Sequence, residues 1–281
     1  MARIDTHLHL LHPDRFRYDW VEGFPVLQGS FTLDDYAAAE TAPVSEAIFM
    51  EVDVAFEQAA EECAFFCALA DDPASRLSGV IAACRPEDDG FEAYLERTAH
   101  PRLVGYRRVL HTQPDELSTT RRFRENVGRL GAAGLTFDLC VQARQHAQVI
   151  ELIDACPGTR FILDHCGNPP LASGDLSGWR ASLCELARRP NVACKVSGII
   201  VNAGPGEITA ETLRPAIEHT IEAFGWDRVL WGSDWPVCNL TRDLRSWTAL
   251  LDEILSGCTE GELASLYQGN ARRLYRLKPL S

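Results

Sequence analysis

The chain has 281 residues, and 40 acidic against 27 basic side chains give it a formal net charge of −13. That length houses a self-sufficient core, and a 46% hydrophobic share with 24% charged residues excludes a disordered chain. The acidic balance speaks against nucleic acid or a membrane surface as partner.

The pattern alternates short β-like runs with longer helical ones eight times. Strands are expected at 3–9, 46–53, 77–84, 103–110, 135–141, 160–166, 192–198 and 229–237. Helical periodicity falls between them, at 56–70, 87–98, 120–133, 143–155, 178–189, 209–224 and 241–256. Near-continuous apolar strands suit a parallel sheet covered by helices, and eight such units fit a closed (β/α)8 TIM barrel spanning residues 1–281 as one domain. A doubly wound nucleotide fold is the rival, but the first strand leads into His7-Leu8-His9-Leu10-Leu11-His12 and no glycine-rich turn. The connection 10–45 is long and aromatic, with a helix expected after Thr32, and reads as a lid-like loop or pocket wall on the catalytic face. No apolar run approaches the roughly 18 residues of a membrane span. The first residues lack a secretory signal's apolar segment, so a cytoplasmic location is expected. Ten cysteines without a CxxC pair read as reduced, mostly buried thiols.

Side chains alternate across a strand, so Asp5, His7 and His9 are expected on one side of the first strand. Two neutral imidazoles one repeat apart can hold one divalent ion or polarise one carbonyl. Glu51 and Asp53 end the second strand, His165 the sixth and Asp234 the eighth, all at the barrel end where active sites lie. Asp164 alternates away from His165 and is expected to face the helices. Arg107 and Arg108 point to opposite sides of strand four, so one at most reaches the pocket, where it suits a substrate carboxylate or hydroxyl pair. Trp20, His111, Lys195, Asp138 and Gln142 are further candidates for substrate contacts, while His100, His146 and His219 read as surface residues.

The first-strand Asp5-Thr6-His7-Leu8-His9, the stretch Leu163-Asp164-His165-Cys166-Gly167-Asn168-Pro169, and Gly232-Ser233-Asp234-Trp235-Pro236 together resemble the amidohydrolase superfamily. More narrowly, with Ala193-Cys194-Lys195-Val196-Ser197-Gly198 and the ending Gly269-Asn270-Ala271-Arg272-Arg273-Leu274-Tyr275, they resemble its lactonase branch over nearly the whole chain. The resemblance implies a (β/α)8 fold and lactone hydrolysis, with Asp234 as the base that activates water. His165, His7 and His9, or a metal they hold, would polarise the carbonyl.

Many dinuclear members bridge two metals through a carboxylated lysine. Here the only lysines are Lys195 and Lys278, and strand four carries arginines instead. One divalent ion, zinc first, on His7, His9 and Glu51, or none at all, is therefore expected, with no dinuclear centre. The substrate is expected to be a small γ- or δ-lactone, a sugar-acid lactone before others. A metal-dependent decarboxylase of an aromatic or unsaturated acid and an amide hydrolase are the rival enzymes. A degenerate barrel that binds a small molecule is the non-enzymatic alternative. A serine hydrolase is disfavoured, since no Gly-x-Ser-x-Gly elbow occurs.

Overall fold

The computed structural model describes residues 1–204 and 208–278. Eight parallel strands follow one another around a single sheet: β1 (Arg3–Leu8), β2 (Val44–Met50), β3 (Leu77–Ala83), β4 (Leu103–Val109), β5 (Thr136–Cys140), β6 (Arg160–Leu163), β7 (Val192–Val196) and β8 (Val229–Trp231). Helices α1 (Leu33–Ala39), α2 (Ala59–Ala70), α3 (Phe91–Thr98), α4 (Arg121–Ala132), α5 (His146–Ala155), α6 (Ser177–Ala187), α7 (Ala210–Phe224) and α8 (Leu244–Ile254) follow the strands in turn. Two short helices, α9 (Glu260–Ala264) and α10 (Asn270–Leu274), come last. The molecule is a (β/α)8 barrel.

Two apolar layers hold it. Outward side chains such as Phe49, Phe137, Phe161 and Trp231 pack beneath the helices, while Ile4, Ile48, Ile81, Ile162 and Leu230 fill the barrel's lower interior. Tyr275, just past α10, plugs that end, and its hydroxyl donates to Asp138 at 2.8 Å. The seam between β8 and β1 closes beyond the end of β8, where the His9 amide donates to the Trp235 carbonyl (2.8 Å) and the Asp234 amide to that of His7 (2.9 Å).

Three expected strands end three or more residues early, and the shortening shapes the rim at the C-terminal end of the barrel. β6 stops at Leu163 because His165, Cys166 and Asn168 take left-handed backbone conformations, and β8 stops at Trp231 before Asp234, with φ of 55°. β2 ends at Met50, ahead of Asp53 at φ 48°. The residues that β6 and β8 were expected to present thus ride on turns. His146, expected at the surface, is buried: its ring lies 3.0 Å from the Gly167 carbonyl and 2.8 Å from Ser182, bracing the turn that carries His165. All ten cysteines are free thiols, and eight are buried.

The long connection after β1 runs over the top of the barrel. Its helix α1 starts at a capping box in which Thr32 and Asp35 satisfy each other's backbone amides. Trp20 and Phe24, earlier in the same segment, stand against the central cavity as a pocket wall.

Candidate active site

A cavity of about 380 Å³ opens at the C-terminal end of the strands, where barrel enzymes carry their chemistry. Its floor is formed by His9, Arg107, His165 and Asp234. Its walls are unlike one another. Trp20, Phe24, Val201, Val237 and Leu240 supply an apolar side, and His111, Thr112 and Gln142 a polar one.

His7 and His9 both face inward, but Asp5 does not join them. The register of β1 against β2 slips between Asp5 and Leu8, and this breaks the expected alternation. Asp5 instead accepts hydrogen bonds from the Tyr36 hydroxyl of α1 (2.6 Å), the Ser233 amide (2.9 Å) and the His7 amide (3.0 Å). It is a fully buried strut that ties α1, β1 and the turn after β8 together.

Asp164 also departs from expectation. It is fully buried inside the barrel, 3.3 Å from His7 Nδ1, 3.2 Å from Lys195 Nζ and 3.8 Å from Arg107. It continues the inward register of β6 after Ile162, and His165 comes in beside it only because its backbone turns left-handed. His165 Nδ1 lies 3.0 Å from Ser197 Oγ, and its ring centroid is 4.6 Å from that of His7.

The hydrogen bonds fix which ring nitrogens face the cavity. His9 Nδ1 donates to the Met50 carbonyl at 3.0 Å and leaves Nε2 bare, while His7 meets Lys195 Nζ (3.2 Å) and Asp164 Oδ1 (3.3 Å) at Nδ1 and Arg107 Nη1 (3.3 Å) at Nε2; both Nε2 atoms face Asp234. Those two atoms lie 3.5 Å (His9) and 3.6 Å (His7) from Asp234 Oδ1. Burial holds the imidazoles neutral: His9 is lowered to about 3 by desolvation and then by Arg107, His7 falls well below its usual value by desolvation and then by Lys195, and His165 is lowered too. Asp234 moves the other way. Desolvation raises it to about 6, although His165 and Arg107 pull it down.

Among the described residues, two groups of donors are spaced for a metal ion: His7, His9 and Asp234, and His7, Asp164 and His165. Two neutral imidazole nitrogens and a carboxylate suit a divalent ion such as zinc. Glu51 belongs to neither group. Its carboxylate is engaged by Arg107 Nε, and the Asp53 amide donates to it at 2.7 Å.

The other candidates divide clearly. Arg107 reaches the cavity, its Nη1 3.3 Å from His7 Nε2 and its Nη2 donating to the Glu51 carbonyl at 2.8 Å. Arg108 points out of the barrel, as alternation requires of one of the pair, and binds Glu87 at 2.8 Å. His111, Trp20 and Gln142 line the cavity; His111 Nδ1 lies 3.1 Å from the Cys140 thiol, and Trp20 is anchored by the Val52 carbonyl at 2.8 Å. Lys195 and Asp138 do not line it. Both are fully buried below His7 and paired at 2.6 Å, so the expectation that they touch substrate is corrected.

Two residues that sequence reasoning passed over complete the site. Ser197 shares the inward parity of Ala193 and Lys195 on β7, a signal that could have found it. Gly198, with φ of 60°, leaves a gap in which a Cβ would stand 2.4 Å from His165 Nδ1 and 2.6 Å from Asp234 Oδ2.

A family model described as Amidohydrolase matches residues 4–277. Among curated proteins, the chain is similar to the L-fucono-1,5-lactonase of Burkholderia multivorans, 31% identical over 293 residues, which cover 98% of this chain and 96% of that one. It is 23% identical to the L-rhamnono-gamma-lactonase of Scheffersomyces stipitis over 338 aligned residues, 98% of each chain. A solved amidohydrolase from Burkholderia multivorans with bound zinc superposes with a TM-score of 0.88 at 28% identity, covering 99% of this chain and 100% of that one. With nearly the whole barrel inside that match, the chain belongs to the amidohydrolase family.

Proposed function

We propose that the chain opens a lactone ring by hydrolysis, with a neutral sugar-acid γ- or δ-lactone as the favoured substrate. The observation that carries this reading is the position of Asp234: a buried carboxylate, raised to about 6, at the floor of the cavity beside three neutral imidazoles and one guanidinium. The similarity to two named lactonases supports it.

Hydrolysis needs a base for water, donors for the oxyanion and a proton for the departing ring oxygen. Asp234 takes the proton from water as it attacks the carbonyl carbon, then returns it to the leaving alkoxide. A pKa near 6 suits both roles at neutral pH. Arg107 and His165 face the same corner and stabilise the developing negative charge. Ser197 holds His165 by Nδ1 and leaves Nε2 for the substrate.

A single divalent ion fits His7, His9 and Asp234, whose donor atoms lie within 4.8 Å of one another, with the His9 ring proton already committed to the Met50 carbonyl. When bound, such an ion supplies Lewis acidity at that corner. Neutrality of the substrate follows from the charges. Arg107 is matched by Glu51 and Asp164, Lys195 is buried and Arg108 points away, so among the described residues no free cation lines the cavity for a substrate carboxylate.

The test is a pH-indicator screen of aldonolactones, muconolactones and pyrone carboxylates, with and without chelator. Proton release from a neutral aldonolactone is expected. Carbon dioxide release from an aromatic acid with no lactone turned over would overturn the reading in favour of a decarboxylase, and ligand binding without turnover would favour a binding protein.

A further inference from the structure

Two groups of metal donors share one imidazole, and they are not equivalent. On the Nε2 side of His7 stand His9 and Asp234, which open onto the cavity. On the Nδ1 side stand Asp164 and His165, deeper in the barrel. In the deeper group, the ammonium of Lys195 lies 3.2 Å from His7 Nδ1, 3.2 Å from Asp164 Oδ1 and 2.6 Å from Asp138 Oδ2. Both carboxylate oxygens of Asp164 are fully buried and make no hydrogen bond within normal geometry. They point at a cation and hold it by charge alone.

The geometry points to Lys195 as a resident cation that fills the second metal position of the barrel and confines the site to one exchangeable divalent ion. The rise of β7 sets this up. Lys195 has the inward parity of Ala193 and Ser197, and its four-carbon stem brings a compact point charge to the spot where two carboxylates and an imidazole meet. A divalent ion there would need donor distances of about 2.0–2.2 Å. The ammonium is satisfied at 2.6–3.2 Å. The same cation steadies Asp164, which stands 3.3 Å from His7 Nδ1 on the ring edge away from Asp234. Lys195 is thus a positioning residue that touches no substrate.

The inference stands apart from lactone hydrolysis, because its readout is ion stoichiometry. Purified apo-protein is titrated with Co²⁺ and Zn²⁺, with bound ion counted by mass spectrometry of the metal and the ligand set followed by the Co²⁺ absorption spectrum. The unaltered protein is expected to hold no more than one ion per chain. His9→Ala, which dismantles the cavity-side group, is expected to lose affinity at least tenfold. His9→Ala combined with Lys195→Ala is expected to recover an ion of similar affinity, now with a spectrum that depends on Asp164.

Two ions per unaltered chain would overturn the proposal, whatever the variants do. So would a folded double variant that takes up no more metal than His9→Ala. A double variant that folds only when a divalent ion is added supports the proposal, because the ion then performs the work of the lysine. If it fails to fold with or without metal, Lys195→Met decides: a second ion taken up once the ammonium is gone supports the proposal, and metal uptake equal to that of the unaltered protein refutes it.

Discussion

Gly198→Ala puts the smallest possible wedge between Asp234, the proposed base, and His165. The added Cβ would lie 2.4 Å from His165 Nδ1 and 2.6 Å from Asp234 Oδ2, and ordinary contact begins at 3.4 Å, so the two groups have to part by about 1.0 and 0.8 Å. A misplacement of about 1 Å at reacting groups costs roughly 10²-fold, so kcat/KM is expected to fall by at least about 10². The backbone adds a separate cost, because φ of 60° is strained for alanine by about 1–2 kcal/mol. The two effects are separable. Gly174 also has positive φ, at 71°, but a Cβ there meets nothing within 4 Å. Gly174→Ala should therefore lose the same 1–2 kcal/mol or so in denaturant unfolding and keep full activity. The assay is initial-rate hydrolysis of the lactone selected by the indicator screen, beside urea melts of both variants. A Gly198→Ala enzyme with kcat/KM within threefold of the unaltered protein would refute the placement of Asp234 and His165 as the working pair.

Asp234→Asn should lower kcat by about two to four powers of ten. For the unaltered enzyme, kcat/KM should fall on acidification through about pH 6, since the base must be ionised to accept a proton and burial raises its pKa to that value. That limb should be missing from the residual activity of the variant. The raised pKa also means that this carboxyl favours folding when protonated and loses that contribution as pH rises through about 6. Asp234→Asn is accordingly expected to melt no lower than the unaltered protein at pH 7, and a clear loss of Tm would contradict it. Tyr36→Phe removes one of three donors to the buried Asp5 and should cost about 1.5–3 kcal/mol in unfolding, with kcat unchanged. Arg108→Ala should leave KM within twofold, because the side chain is paired with Glu87 outside the cavity; a tenfold rise in KM would place it in the pocket after all.

The barrel was legible because eight short apolar runs alternated with eight helical stretches, and burial on both faces leaves few other ways to fold such a pattern. That His9, His165 and Asp234 would meet at one cavity with His7 beside them was also legible, since each follows an apolar run at the same end of the barrel. What escaped the sequence was orientation wherever the backbone leaves the sheet. Parity assigned Asp164 to the helices because it assumed His165 was inward by alternation. In fact Asp164 holds the inward register, and a left-handed turn adds His165 beside it. Lys195 was correctly placed near the site, but a strand-interior lysine with two carboxylates below the floor is spoken for. Nothing in a one-dimensional pattern reveals that Asp138 and Asp164 converge on it.

Asp5 carries the clearest case of why a motif's residues need separate physical roles. In Asp5-Thr6-His7-Leu8-His9, strict alternation would send the aspartate to the cavity with the histidines. The strand, however, has to bond to β2 on one side and, on the other, to a chain that has already turned out of β8. The side chain of Asp5 substitutes for the missing ladder, accepting from the amides of Ser233 and of His7 itself, and the register slips by the amount needed to do so. The slip takes Asp5 out of the inward set that His7 and His9 keep, and the bond to Ser233 fixes the start of the turn that delivers Asp234. A carboxylate that never meets the cavity therefore ties the strand that carries both imidazoles to the turn that carries Asp234.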